Sequence, residues 1–209
     1  LTAYTRFAEG REGLYRRLEV GDFIDTRNHW AKDSIKTMVS KGVMESLFGL
    51  YFFPDEDMLR GEFTKALVTL VAGLDVEQVG LASPYEDVKA EDDFCKHVIY
   101  AAENGLIFGT DDTHFSPYDW VTRAQTATIL YRYFQQKFGE IDPAEIEMSA
   151  VEGFADYPDC PEWSREALAY CVKAGLFIGS ENQIFPNDYI THAEMSVILQ
   201  RVMNQLEKR

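Results

Sequence analysis

The chain has 209 residues, of which 46% are hydrophobic and 26% charged, a composition typical of a folded globular protein. Its formal net charge of −15 argues against binding to nucleic acid or to an anionic membrane surface, because both attract basic proteins. No apolar run reaches the length of a membrane span, so membrane insertion is not expected. An anionic ligand therefore has to be held by local positive charge against the overall field.

The N-terminal segment, residues 1–20, is predicted to be a helical extension ahead of the main body. One amphipathic helix fits Thr5–Val20, and its arginines are expected to lie on a solvated face. The first residues, "LTAYTRFAEG", contain neither an initiator Met nor the layout of a signal peptide. We therefore expect a processed product or a piece of a longer protein.

The rest of the chain consists of three similar units, predicted over residues 21–75, 83–139 and 152–206. Each unit opens with an aromatic residue and an Asp, namely Asp25, Asp87 or Asp156. A helix of period 3.6 follows and ends at a Gly, predicted over His29–Gly42, Asp93–Gly105 and Glu162–Gly175. A loop with an aromatic residue near a Pro then leads to a second amphipathic helix.

These units predict an all-α protein of three tandem helix-loop-helix repeats. No unit can bury the apolar faces of its helices alone, so the three have to pack together. Closure around a pseudo-threefold axis and an open stack both satisfy this requirement. We expect the loops over 43–54, 106–117 and 176–186 to face outward.

The second helix of each unit begins with a cation. "TRAQ" (Thr122–Gln125) and "THAE" (Thr191–Glu194) are capping boxes, in which Thr and Gln or Glu satisfy backbone amides at the helix start. Arg123, and Arg60 and His192 at the same position, are not explained in this way. A cation in the first turn opposes the helix dipole and costs up to about 1 kcal/mol.

A bound anion would offset this cost. Free amides, the helix dipole and a guanidinium group together form an anion site. Alternatively, Arg123 forms an ion pair with Asp87 or Asp156 at a junction between units.

The ordered set of F-x-D, an apolar helix ending in Gly, F-x-P and T-R-A-E, present three times over residues 21–206, resembles the S-layer homology domain. The resemblance implies three repeats closed around a pseudo-threefold axis with a central helix bundle and grooves between repeats. Family members attach surface proteins of Gram-positive bacteria to pyruvylated secondary cell-wall polysaccharide. We therefore expect an extracellular, wall-bound module of a larger surface protein, with the pyruvate ketal carboxylate as the anion.

The resemblance also assigns ligand-binding residues: Arg60, Arg123, His192, Asp25, Asp87, Asp156, Trp30, Trp163, Gly109 and Gly179. No repeat is complete, since Leu59 replaces the Thr cap, Ser46 the loop Gly, Asp93 the helix-start Trp and His192 the Arg. If grooves combine residues of neighbouring repeats, the groove containing Arg123 is the best candidate.

Structural roles are open for the same residues. Trp30 and Trp163 could be core aromatics, the three Asp could be turn or N-cap acids, and the two Gly could serve turn geometry. Of the three cysteines, Cys95 and Cys171 lie in apolar helical patterns and are expected to be small buried hydrophobes. No cofactor, metal or catalytic site is predicted; a weak calcium site and a carboxylate-pair glycosidase are minor alternatives. The alternative to a glycan anchor is a degenerate triplet that serves as a structural or protein-interaction module.

Overall fold

The protein is described by a computed structural model over residues 21–46, 49–73, 82–141 and 146–208. These residues form seven α-helices: α1 (Lys32–Ser40), α2 (Arg60–Ala72), α3 (Cys95–Glu103), α4 (Arg123–Phe138), α5 (Ser149–Glu152), α6 (Arg165–Lys173) and α7 (His192–Lys208). Their β-pairing is limited to isolated bridges, so the all-α prediction is confirmed. None of these helices is both long and apolar enough to traverse a bilayer. The helix predicted over Thr5–Val20 lies outside the described residues.

The first helix of each repeat is short and ends as predicted. α1, α3 and α6 have nine residues each and are followed by Gly42, Gly105 and Gly175, whose φ angles are +70°, +63° and +70°. Only glycine takes this left-handed conformation at no cost, which explains why each helix stops there. The helices begin two or three residues later than predicted, because turns or a short 3-10 helix precede them.

Packing between repeats is cyclic. The second helix of each repeat contacts the first helix of the next one, so that α2 packs on α3, α4 on α6, and α7 on α1. The last of these contacts joins the third repeat back to the first. Each helix thus buries its apolar face against a different repeat, as a unit too small to bury its own core must do.

A ring of backbone hydrogen bonds joins the segments that precede α2, α4 and α7. The amide of Met58 donates to Ile190 (2.8 Å), that of Ile190 to Val121 (3.0 Å), and that of Val121 to Met58 (3.1 Å). All three residues are buried. The closed ring favours the predicted closed arrangement over an open stack, whereas the pseudo-threefold axis itself stays a prediction.

One continuous core connects the three repeats. Its largest fully buried side chains come from every repeat and include Phe52, Phe63, Phe115, Phe134 and Phe177. The three cysteines are buried and free, which agrees with the role predicted for Cys95 and Cys171. Complete burial raises the pKa of the Cys171 thiol far above its usual range, so this thiol is unreactive.

Candidate functional site

The first two amides of α2, α4 and α7 are already hydrogen-bonded. Each helix donates its first two amides to carbonyls of another repeat. The first-amide pairs are Arg60 to Asp119, Arg123 to Asp188 and His192 to Glu56, at 2.8, 3.0 and 3.1 Å. The predicted contribution of free amides to an anion site is therefore wrong for these six amides, because contacts between repeats use them. Beside them, an anion has to be held by side chains.

The predicted capping boxes are confirmed. Thr122 Oγ1 accepts from the Gln125 amide at 3.2 Å, and the Gln125 side chain accepts from the Thr122 amide at 2.9 Å. Thr191 and Glu194 form the same reciprocal pair at the start of α7. At the start of α2, Leu59 offers no side-chain oxygen, so only the carboxylate half of the box is present.

The three helix-start cations are buried at the junctions between repeats. Arg60, Arg123 and His192 are 8%, 6% and 4% exposed. Each reaches into the following repeat, and the third reaches back into the first. Arg123 and His192 each meet a carboxylate there, whereas Arg60 meets backbone carbonyls, and this difference distinguishes the three sites.

Arg123 is bonded on two sides. Its Nε donates to the Ile184 carbonyl at 2.9 Å, and its Nη1 donates to Glu194 Oε1 at 2.9 Å. The guanidinium carbon lies 5.1 Å from the centre of the Phe177 ring. Burial lowers the pKa of Arg123, and Glu194 opposes that effect. The predicted ion pair with an opening-motif Asp is wrong in its partner, since the capping-box acid of the next repeat takes that place. Within the described part of the chain, Nη2 donates to no group.

Arg60 has no carboxylate partner among the described residues. Its Nε and Nη2 donate to the carbonyls of Phe115 (3.0 Å) and Phe108 (2.6 Å), and burial lowers its pKa. In the following repeat the capping-box residue is Gln125, a neutral amide. The corresponding residue beside Arg123 is Glu194, an acid. Arg60 is therefore a buried cation that contacts carbonyl dipoles and the Phe115 ring, with the charge of Asp119 acting from further away.

His192 faces an acid of the first repeat. Its Nε2 lies 3.3 Å from Glu62 Oε2, and its ring meets the Phe52 ring edge-on at 6.1 Å. Its Nδ1 is buried without a partner among the described residues. The histidine and the capping-box acid thus satisfy each other across the junction.

The three opening-motif carboxylates hold the loops. Asp25 accepts from the amides of Phe52 and Phe53, and Asp87 and Asp156 make the same pair of bonds in their own repeats, all at 2.7–3.1 Å. The second amide in each case belongs to a left-handed residue before the loop Pro, with φ of +58°, +57° and +55° at Phe53, Ser116 and Phe185. These carboxylates stabilise a strained backbone, so their oxygens are already in use.

The loop glycines are required by packing inside their own repeats. A Cβ on Gly109 would lie 2.5 Å from the Tyr85 ring, and one on Gly179 would lie 2.3 Å from the Phe154 ring. Both rings belong to the opening motif. Packing against these rings is therefore enough to explain why both positions are glycine. Close approach of a ligand to their backbone stays a prediction.

Trp30 and Trp163 are not core aromatics. They are 66% and 60% exposed, so each indole presents a flat apolar surface to solvent. Indoles this exposed are available for stacking on a ligand, which is the role predicted for them.

Trp30 lines a groove together with a cation of another repeat. This Arg123 groove encloses roughly 180 Å³ and is lined by Trp30, Arg123, Phe177, Ile178, Glu194 and Arg201. Its residues come from all three repeats, as the prediction of grooves shared between neighbours required. Two guanidinium groups and one carboxylate give these residues a net charge of +1.

A second groove lies at the corresponding junction between the third and first repeats. This His192 groove encloses roughly 200 Å³ and is lined by Met44, Glu45, Glu62, Lys65, Asp93 and His192. Three carboxylates and one ammonium give it a net charge of −2 with a neutral histidine.

Several residues of these grooves were not singled out from the sequence. Arg201, Ile178 and Glu194 in the Arg123 groove lie in a helix or loop whose pattern has an ordinary structural explanation. The sequence contained one signal for this groove, namely that the third repeat has Glu194 where the second repeat has Gln125. Both side chains make the same capping-box bond, so the cap does not require the acid. This difference changes the charge beside the cation and leaves the cap intact.

The chain matches known proteins over most of its length. A model of the S-layer homology domain family matches residues 84–127 and 153–196. An amylopullulanase of Thermoanaerobacterium thermosulfurigenes is 26% identical over 85% of this chain and 9% of its own length. The Surface-layer 125 kDa protein of Lysinibacillus sphaericus is 28% identical over 85% of this chain and 14% of its own length. A cellulosome-anchoring protein of Acetivibrio thermocellus is 25% identical over 75% of this chain and 34% of its own length.

Proposed function

Because the chain belongs to the S-layer homology family, we propose that it is a non-catalytic module that attaches a larger surface protein to the bacterial cell wall. The ligand is an anionic, pyruvylated secondary cell-wall polysaccharide. The location is the outer face of the wall of a Gram-positive bacterium.

The variety of the relatives supports an attachment role. The matching segment is a small part of an amylopullulanase and of a surface-layer protein, whose names describe unrelated activities. A segment common to such different proteins fits a shared attachment device better than a catalytic centre. The name of the cellulosome-anchoring protein agrees with this reading.

The Arg123 groove is the observation that carries the proposal. It combines a buried guanidinium group, whose Nη2 has no partner within the described residues, with the exposed indole of Trp30. A ketal carboxylate accepts from the guanidinium and the sugar ring stacks on the indole. A buried cation with its carbonyl bonds already in place is preorganised, so little ordering cost arises on binding.

Glu194 limits this groove because its carboxylate competes with the ligand for Arg123. The second repeat carries Gln125 at the same position and keeps a complete capping box. Glu194→Gln is therefore a substitution that the fold already tolerates in another repeat. It removes a negative charge at the site without disturbing the helix start.

Isothermal titration calorimetry with a pyruvylated disaccharide tests the proposal. Arg123→Ala is expected to weaken binding about ten- to hundredfold, the range for a charge-assisted hydrogen bond of roughly 1.5–3 kcal/mol. Glu194→Gln is expected to tighten it, and Gln125→Glu to weaken any binding at Arg60. The depyruvylated disaccharide serves as the ligand control. No heat from the unmodified chain would reject the anchor, and equal affinity of Arg123→Ala would reject this placement of the site.

The degenerate triplet is the second candidate. It is favoured by the fact that Arg123 and His192 already have carboxylate partners inside the protein. In that case the cations serve only to join repeats. A chain that binds neither disaccharide nor wall polymer, but unfolds when Arg123 is replaced, would support it.

A further inference from the structure

The Arg123 groove and the His192 groove are built on the same plan from different repeats. The loop and second helix of the third repeat line the Arg123 groove, and the loop and second helix of the first repeat line the His192 groove. Besides the helix-start residue, which is Arg123 in one and His192 in the other, three corresponding positions differ in kind. Ile178, Val197 and Trp30 in the Arg123 groove are replaced by Glu45, Lys65 and Asp93 in the His192 groove.

These three replacements form an ion-pair clasp. Lys65 Nζ donates to Glu45 Oε2 and to Asp93 Oδ2, both at 3.0 Å. Asp93 belongs to the second repeat, whereas Glu45 and Lys65 belong to the first, so the clasp spans the junction between repeats. The Lys65 side chain is 23% exposed, and its ammonium group is held between the two carboxylates.

We propose that residues 45, 65 and 93 set the ligand class of the His192 groove and close it to the anionic saccharide that the Arg123 groove takes. This inference rests on the proposed function. The clasp removes the apolar rim and the indole on which a sugar ring would stack. It also occupies the lysine, the remaining cation of that groove besides the histidine.

The charges around the His192 groove act in the same direction. Glu45, Glu62 and Asp93 contribute three negative charges against one from Lys65. Glu62 lies against His192, so a proton on that histidine is neutralised locally. An incoming carboxylate therefore meets three like charges in this groove.

A cation at position 192 does not reopen the groove by itself. His192→Arg would restore the arginine that the other two repeats carry at this position. The clasp still leaves this groove without the apolar rim and the indole of the Arg123 groove. We expect His192→Arg alone to leave the number of bound saccharides unchanged.

Two transplants test the proposal by calorimetry with the pyruvylated disaccharide. The first moves the lining of the Arg123 groove into the other groove, as Glu45→Ile, Lys65→Val, Asp93→Trp and His192→Arg. It is expected to bind one more saccharide per chain than the parent. The control is His192→Arg alone, and a thermal melt verifies that each variant is folded.

The second transplant installs the clasp in the Arg123 groove, as Ile178→Glu, Val197→Lys and Trp30→Asp, with Arg123 unchanged. Because Ile178 and Trp30 are largely exposed, this variant is expected to fold even if the first one does not. It is expected to bind one saccharide fewer than the parent.

The outcomes distinguish a failure of the clasp proposal from a failure of the proposed wall-binding function. If the parent binds and the clasp transplant binds the same number with the same affinity, the clasp does not exclude anions and the inference is wrong. An additional site in His192→Arg alone also overturns it. If no chain binds, the proposed function fails, and the inference fails with it.

Discussion

His97 is a buried imidazole on α3 that takes no part in the grooves. The residue is 4% exposed, and its Nδ1 has no partner among the described residues. Burial, together with the positive charges of Lys96 and Lys65, lowers the pKa of His97 from 6.5 to about 4. The folded protein thus holds this side chain neutral, whereas the unfolded chain protonates it near pH 6.5.

The sign of the resulting pH dependence is fixed. Between pH 6.5 and about 4 the unfolded chain binds the additional proton, so His97 costs stability as the pH falls through this window. The full cost is up to about 3 kcal/mol. We expect His97→Gln to lose less stability than the parent between pH 7 and pH 4.5, measured by urea unfolding. His114→Gln, at an exposed histidine, is the control. Parallel curves for parent and His97→Gln would contradict this assignment.

The sequence identified several residues of the site, but it did not reveal which groups they contact. The cation at each helix start is unfavourable for the helix, which is why Arg60 and Arg123 could be singled out from the sequence. Their carbonyl partners, Phe115 and Ile184, belong to the next repeat, so local pattern contains no information about them. The opening-motif Asp is equally recognisable, yet its role depends on left-handed residues about 28 positions away.

At the scale of helices, α2 and α3 are fitted to each other by a glycine. A Cβ on Gly61 would lie 2.7 Å from the ring of Phe94, which is buried at the start of α3. The corresponding pairs in the other repeats combine Ala with a small residue: Ala124 with Ser164, and Ala193 with Ala31. The large aromatic in one helix is therefore accommodated by the missing side chain in the other.

Gly61→Ala is expected to destabilise the protein by about 1–3 kcal/mol, because the added methyl overpacks the contact with Phe94. Gly153→Ala is the matched control, since that glycine has negative φ and open space around its Cβ. In Phe94→Ser the cost of Gly61→Ala should largely disappear, as in the other repeats. Chemical denaturation of the parent, Gly61→Ala, Phe94→Ser and the double variant measures the coupling between the two positions. Additive effects of the two substitutions would contradict the fit.

This pair also shows where prediction of the elements stops. Helical periodicity located all six repeat helices within a few residues at their starts. In the second repeat Asp93 was predicted to occupy the position of the helix-start Trp. The structure places Asp93 at the groove and Phe94 in the core. Only the contact with Gly61, in another repeat, explains this register.

At the scale of the whole molecule, closure creates the grooves. The Arg123 groove takes Trp30 from the first repeat, Arg123 from the second and the remaining wall from the third. No repeat contains a complete groove, so the order of packing decides which cation meets which indole. That order could not be read from three similar repeats, because similar surfaces leave both a stack and a ring possible.

The central claim is that the Arg123 groove holds a pyruvylated wall polymer, and co-sedimentation with purified cell-wall sacculi tests it most directly. The account predicts that the chain sediments with native sacculi and stays in solution when pyruvate has been removed chemically. Arg123→Ala should sediment less than the parent, and Glu194→Gln at least as much. Equal sedimentation with native and depyruvylated sacculi, or none with either, would contradict the claim.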